Sequence, residues 1–202
     1  MPGNVAGVLL AAGSGSRLGR PKALVVVGGQ SLARRGIALL RDGGADPVVV
    51  VTGAAEIAGG PDPGVVCVRN PDWATGMGSS LAVGLAAVPD RCTAAVIALA
   101  DQPLVGSESV RRLIAAYTGG ASVAVACYEG QPRNPVLISR THWPEVLALA
   151  AVDVGARPFL RRHPDLVTAV ECADAGRPDD IDSPEDLARI ERLLCPGRAA
   201  AT

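Results

Sequence analysis

Aromatic side chains are almost absent: two Trp, two Tyr and one Phe make up 2% of 202 residues. A core of this size cannot rest on rings. It must be built from Val, Leu, Ile and Ala, as parallel sheets between helices usually are. An excess of one charge is lacking as well, with 19 Lys and Arg against 20 Asp and Glu. That balance excludes a broad nucleic-acid or anionic-membrane surface and makes any phosphate site a local one. The five cysteines (Cys67, Cys92, Cys127, Cys172, Cys195) are odd in number and contain no C-x-x-C pair. They read as free thiols in a reducing compartment, which excludes a disulfide frame or a zinc ribbon. The two histidines precede Trp143-Pro144 and Pro164, where they read as packing or capping groups, and no serine nucleophile elbow is present. Long apolar runs are missing: Val5–Ala12 is too short to span a bilayer, and Met1–Asn4 carries no basic leader. The expectation is a cytoplasmic protein with neither a nucleic-acid nor a membrane partner. Residues 1–195 would form one domain, and 196–202 a flexible tail.

What is present is a rhythm of apolar strands and helix-like segments. Strands are predicted at Ala6–Leu10, Pro47–Thr52, Val65–Arg69, Ala94–Ala100, Ser122–Cys127, Pro135–Ile138 and Val167–Glu171. Most are unbroken Val/Ile/Ala runs, the pattern of strands covered on both faces. Helices are predicted at Leu32–Arg41, Ser79–Val88, Glu108–Tyr117, Pro144–Ala150, Arg157–His163 and Pro184–Leu194. The alternation argues an α/β, Rossmann-like fold with a mainly parallel sheet and helices on both faces. Val25–Val27 running into Gly28-Gly29 reads as a tight hairpin. Ser183-Pro184-Glu185-Asp186 reads as a capped helix start.

The most informative stretch runs from Val8 to Lys22: an apolar strand, a glycine-rich turn (Gly13-Ser14-Gly15-Ser16), then Arg17 and Lys22. Such a loop presents bare N–H groups to an anion, with two cations in reach. It fits neither common phosphate loop. The spacing Gly13-x-Gly15-x-x-x-Gly19 is one residue too long for a dinucleotide fingerprint, and the second strand ends without a ribose carboxylate. Lys22 lacks the Ser or Thr that follows a P-loop lysine. The plainer alternative is a glycine-rich turn with surface cations.

Four further segments are candidates. Ile97–Ala100 ends in Asp101, where a carboxylate can hold Mg²⁺ against phosphates or simply cap a loop. Asn70–Leu81 is a loop of small residues opening a helix. Its Ser79 and Ser80 can bond a base or ribose, or Ser79 can be an ordinary N-cap. Asp179–Asp186 concentrates carboxylates, a second metal ligand or a solvated acidic cap. Gly130–Leu137 and Asp153–Arg157 set Arg133 and Arg157 beside turn residues. They could line a pocket for a phosphorylated acceptor or lie in solvent.

Taken together, these residues resemble the MobA-like nucleotidyltransferase family, and within it the molybdenum-cofactor cytidylyltransferase branch. The family pattern L-A-A-G-x-S-x-R-M-G-x-x-K is matched from Leu10 to Lys22, with Leu18 for Met and both Ser14 and Ser16 open as the family serine. G-M-x-x-S-L is matched from Gly76 to Leu81, D-Q-P from Asp101 to Pro103, and N-P-V-L from Asn134 to Leu137. The last motifs are G-D-x-G-A-R, matched from Asp153 to Arg157 with Val152 for its first Gly, and D-I-D-T-P-E-D-L, matched from Asp180 to Leu187 with Ser183 for Thr. Pro132-Arg133 replaces the family's Arg-Gly before Asn134, so the departures gather in the acceptor region.

The resemblance implies transfer of an NMP from an NTP to an acceptor phosphate, with Mg²⁺ as cofactor and pyrophosphate as product. CTP is the favoured donor, a molybdopterin-type compound the acceptor, and a molybdoenzyme a possible recipient of the product. Arg17 would hold the β/γ-phosphates and Lys22 would bridge to the α-phosphate. Asp101, with Asp182, would ligate the metal. Leu10, Ala11, Ala12, Gly13, Ser14, Gly15, Ser16, Gly76, Ser79 and Ser80 would bind the nucleotide. Arg133, Asn134, Asp153 and Arg157 would meet the acceptor. Competing readings are transfer to a different phosphate and a dinucleotide-dependent oxidoreductase on the same sheet.

Overall fold

The computed structural model describes residues 4–57, 63–150 and 155–194. The strands are β1 (Asn4–Leu10), β2 (Val26–Val27), β3 (Gln30–Ser31), β4 (Val48–Thr52), β5 (Val65–Arg69), β6 (Cys92–Leu99), β7 (Val123–Tyr128), β8 (Gln131–Ser139) and β9 (Val167–Glu171). The α-helices are α1 (Leu32–Asp42), α2 (Met77–Ala86), α3 (Ser107–Thr118), α4 (Trp143–Leu149), α5 (Arg157–Arg162) and α6 (Pro184–Leu194). Seven strands form one sheet in the order β5-β4-β1-β6-β8-β7-β9. Only β8 runs antiparallel to its neighbours. The expected α/β class with a mainly parallel sheet is what the chain adopts.

Period-2 alternation sends side chains to two cores, one on each face of the sheet. Leu9 of β1, Val48 and Val50 of β4, and Ala94 and Val96 of β6 meet Ala33 and Leu40 of α1 and Val110 and Leu113 of α3. Val8 and Leu10, Val49 and Val51, and Ala95 and Ile97 meet Leu81 and Leu85 of α2, Val146 of α4 and Phe159 of α5. Because both faces are covered, the central strands read as continuous apolar runs. The scarcity of rings leaves Phe159 as the largest fully buried side chain.

The predicted hairpin is β2–β3, closed by Gly28 and Gly29 at φ 56° and 82°, the backbone of a primed turn. It packs through Val25 and Val27 on Ile181 and on Ile190 of α6. The start of α6 is a reciprocal box. Ser183 Oγ accepts from Asp186 N–H at 3.2 Å, and Asp186 Oδ2 accepts from Ser183 N–H at 3.1 Å.

Two expectations shift. The segment from Gln131 to Asn134, ahead of the strand expected from Pro135, belongs to β8. The two prolines of β8 are tolerated because β6 pairs only with Val136 to Ser139, so the Gln131 end has β7 alone as neighbour. Helix α2 begins at Met77 rather than Ser79, with Gly76 as its N-cap, so the plain capping role for Ser79 is not realised. The proposed tail 196–202, Cys195 and Asp153 lie outside the described residues. Among the described residues no helix is long and apolar enough to cross a membrane.

Candidate active site

Parallel strands β1 and β6 are neighbours, but the chain first continues from β1 through α1 to β4 on the other side. The sheet order therefore reverses between β1 and β6, and ligands of open α/β sheets bind outside the carboxyl ends of strands at such a point. A cavity of about 470 Å³ opens there. Nucleotides and drug-sized ligands occupy spaces of this order. Its walls come from the loop after β1 (Leu10 to Arg17, and Lys22), the approach to α2 (Trp73, Ala74, Gly76, Met77, Ser80), the end of β6 (Leu99 to Asp101), and Asp182.

The glycine-rich loop doubles back on itself, with Lys22 N–H donating to Gly13 O at 3.3 Å and Leu18 N–H to Gly15 O at 2.8 Å. Gly15 sits in the left-handed region at φ 59°. A Cβ on it would lie 2.1 Å from Arg20 O, so only glycine fits the path. Among the described residues, the N–H groups of Ser14, Gly15, Ser16 and Arg17 donate no backbone hydrogen bond. Successive N–H groups left without a backbone partner in this way can form an anion-binding nest. Arg17 is exposed at the cavity rim. Replacing Gly15 with Ala should displace the loop, weakening triphosphate binding at least tenfold while thermal unfolding stays cooperative. Tripolyphosphate titration alongside a melting curve checks this.

Three charged groups converge. Lys22 Nζ lies 2.7 Å from Asp101 Oδ2 and 2.5 Å from Asp182 Oδ1, although the partners are 79 and 160 positions away in the chain. Asp101 is delivered by the end of β6. Asp182 is delivered by its neighbour Ile181, fully buried, whose N–H donates to Asp101 O at 2.9 Å. Burial by itself would lower the pKa of Lys22. The charges and hydrogen bonds of Asp101 and Asp182 outweigh it, and the ammonium is held above its ordinary value. Asp180 is largely exposed as a residue, but its carboxyl end is desolvated. That desolvation and the nearby Asp101 and Asp182 charges push its pKa up, against a 2.8 Å hydrogen bond from Gln102 Nε2.

The acidic segment is anchored on α6. Asp179 accepts from Arg177 Nε at 2.9 Å and pairs with Arg189. Desolvation opposes ionisation of Asp179, but its bonds to Arg189 and Arg177 prevail and its pKa falls below the usual carboxylate value. A depressed carboxylate stabilises the fold above its unfolded pKa, and the benefit is lost as pH falls through the folded value. Asp179→Asn should therefore cost about 1 kcal/mol at neutral pH after screening. It should also soften the loss of stability that the parent shows below about pH 4. Urea unfolding at pH 7 and pH 3.5 measures both.

No group of three His, Cys, Asp or Glu is arranged to hold a metal among the described residues. Asp101 and Asp182 nevertheless aim two hard oxygen donors at one cation, the Lys22 ammonium. Mg²⁺ typically takes one or two carboxylates plus substrate phosphates, so this pair fits an ion whose shell a bound triphosphate completes.

A smaller cavity of about 40 Å³ adjoins the first, sharing Leu10, Met77 and Leu99. Its walls are aliphatic except for Asn134 and Arg157. Of the residues expected at the acceptor, these two are brought to the site. Arg133 is not: it is exposed, lines neither cavity, and donates from Nη1 to Pro132 O at 3.0 Å. The bulge that shifts the β7–β8 register beyond Val125 leaves Arg133 opposite Ala126, on the solvent-side part of β8. Ser79 also stays off the cavity wall, its hydroxyl 2.8 Å from Gly76 O. Trp73, within the Asn70–Leu81 segment read as small residues, also stands in the wall. A large ring in a segment otherwise made of small residues was the signal for it.

A family model described as the MobA-like NTP transferase domain matches residues 7–167. The chain belongs to this family. Among its relatives, a molybdenum cofactor guanylyltransferase of Rhizobium johnstonii is 33% identical over 204 residues, covering 95% of this chain and 93% of the relative. A nicotine blue oxidoreductase of Paenarthrobacter nicotinovorans is 37% identical over 204 residues, covering 92% and 96%. A crystal structure of Rv0371c from Mycobacterium tuberculosis, solved as a complex with manganese, superposes with a TM-score of 0.71 at 30% identity, covering 94% of this chain and 98% of that one. The chain's relatives thus carry both transferase and oxidoreductase names, and the glycine-rich loop, Lys22 and Asp101 lie within the region that the family model matches.

Proposed function

We propose that the chain is a cytoplasmic nucleotidyltransferase that joins CMP, from CTP, to the phosphate of a molybdopterin-type acceptor. An acceptor phosphate oxygen attacks the α-phosphorus, the bond from that phosphorus to the bridging oxygen breaks, and pyrophosphate leaves. The observation that carries this reading is the meeting of Lys22 with Asp101 and Asp182 beside a loop of N–H groups left without a backbone partner. Phosphoryl-type transfer needs alignment and charge neutralisation more than covalent help, and these groups supply both. Ser14 to Ser16 and Arg17 take the β- and γ-phosphates. Lys22 spans the α-phosphate and the entering phosphate. Ala11, Ala12, Gly76 and Ser80 meet the nucleoside, and Asn134 and Arg157 meet the acceptor. Asp101 and Asp182 are the residues that would hold Mg²⁺, which when bound neutralises the phosphate oxygens and the leaving group. An ionised acceptor phosphate needs no general base, consistent with a cavity wall free of histidine.

Ala12 underlies the choice of base: it is buried and part of the cavity wall, and its methyl would leave less room for a purine than a glycine there. Ala12→Gly should raise turnover with GTP relative to CTP several-fold, read as the ratio of kcat/KM for the two donors. The proposal itself is tested by incubating the protein with Mg²⁺, a molybdopterin acceptor and each α-labelled NTP. Label on the acceptor with matching pyrophosphate, greatest for CTP, is the expected result. No transfer from any NTP would refute it.

A second reading, a dinucleotide-dependent oxidoreductase on this scaffold, is favoured by the relative named nicotine blue oxidoreductase. Oxidation of NADPH without pyrophosphate release would establish it instead.

A further inference from the structure

Asn70 follows β5 and is almost fully buried, at 1% exposure. Its Oδ1 accepts from the backbone N–H of Asp72 at 2.9 Å. A backbone N–H can only donate, so the amide orientation is fixed and the Nδ2 group must face the other way. There it donates to Ser79 Oγ at 2.9 Å and Ser80 Oγ at 3.0 Å. Ser79 disposes of its own proton on Gly76 O at 2.8 Å or Asp72 O at 3.0 Å. Ser80 differs. Its hydroxyl has Asn70 as its partner among the described residues, and the residue is part of the large cavity's wall. Having accepted from Asn70, the Ser80 hydroxyl retains its proton as a donor.

We propose that Asn70 is a positioning residue for base recognition: it fixes the polarity of the Ser80 hydroxyl, which donates to a carbonyl oxygen or unprotonated ring nitrogen of the nucleobase. This rests on the nucleotide-binding reading above. The same amide joins the end of β5 to the first turn of α2, so the reading edge is held by the sheet and not by a free loop.

Asn70→Asp separates polarity from shape. The carboxylate is the size of the amide and still accepts from Asp72 N–H, but it can no longer donate. Ser80 must then give its proton to the carboxylate, and it turns a lone pair toward the acceptor edge of the base.

The test measures binding of CTP with Mg²⁺, and of tripolyphosphate with Mg²⁺, to wild type, Asn70→Asp, Ser80→Ala and the double variant, each with a melting curve. Asn70→Asp should weaken CTP roughly tenfold or more and leave tripolyphosphate unchanged. Ser80→Ala should lose a comparable factor, and the double variant should be no worse than Ser80→Ala alone. Equal loss for CTP and tripolyphosphate would reduce Asn70 to a scaffold residue and overturn the proposal. So would multiplicative effects in the double variant, or normal CTP affinity in Ser80→Ala. Wild-type protein that binds tripolyphosphate but gains nothing from the cytidine would instead sink the nucleotide reading itself.

Discussion

Asp101→Asn should lower kcat/KM for nucleotidyl transfer roughly 100-fold or more, about 2.7 kcal/mol of barrier, with little change in melting temperature. Asparagine keeps the size of the side chain and an oxygen that accepts from Lys22, now 2.7 Å from the carboxylate. What disappears is a formal negative charge at the end of β6, at the point where Asp182 also converges. That charge is what a hard divalent cation held by Asp101 and Asp182 would require. Steady-state pyrophosphate release at saturating Mg²⁺, paired with a melting curve, reads both quantities. Turnover near that of the parent would remove Asp101 from the metal.

Lys22→Met should cost roughly 100-fold or more in kcat, with a smaller effect on KM. A donor aimed at charge that develops in the transition state acts on the chemical step more than on ground-state binding. Lys22→Arg should restore little. The site holds a point charge between two carboxylates, and a planar fork does not fit that geometry. The pH dependence follows from the upward shift of Lys22. A raised lysine is fully charged below its unfolded value of 10.5, and its contribution is lost only as pH rises through the higher folded value. Between pH 6 and 9 the parent should therefore show no rate loss from deprotonation of this group. A kcat profile over that range, with the Met variant as baseline, checks it.

The sheet was legible in the sequence because its strands are covered on both faces: Val48–Thr52 and Ala94–Leu99 show unbroken apolar runs that helical periodicity would not produce. Strand β8 was legible only from Pro135 on, because prolines signal a break unless one knows that the neighbouring strand has ended. The start of α2 was hidden by Gly76-Met77-Gly78, whose glycines look like loop while one of them is the cap. The glycine-rich loop and its cations were local features and could be read directly. The meeting of Lys22 with Asp101 and Asp182 could not be read from spacing, since it depends on Ile181 docking beside the end of β6. Family resemblance grouped Asp101 with Asp182 as metal ligands, but not their contact with Lys22. Arg133 shows the limit of such transfer: it lies exposed on the part of β8 paired with β7 alone and lines neither cavity.

The measurement that bears most directly on a metal-dependent triphosphate site is a thermal-shift panel. It sets Mg²⁺ alone and Mg²⁺ with CTP, GTP, ATP, UTP or NADPH against the parent chain and Asp101→Asn. A ligand at 100 times its Kd adds about 2.7 kcal/mol of apparent stability, a shift of roughly 5–10 °C for a domain of this size. Stabilisation of the parent by CTP that needs both Mg²⁺ and Asp101 is the predicted result. Stabilisation by NADPH alone, indifferent to Mg²⁺ and to Asp101, would contradict it.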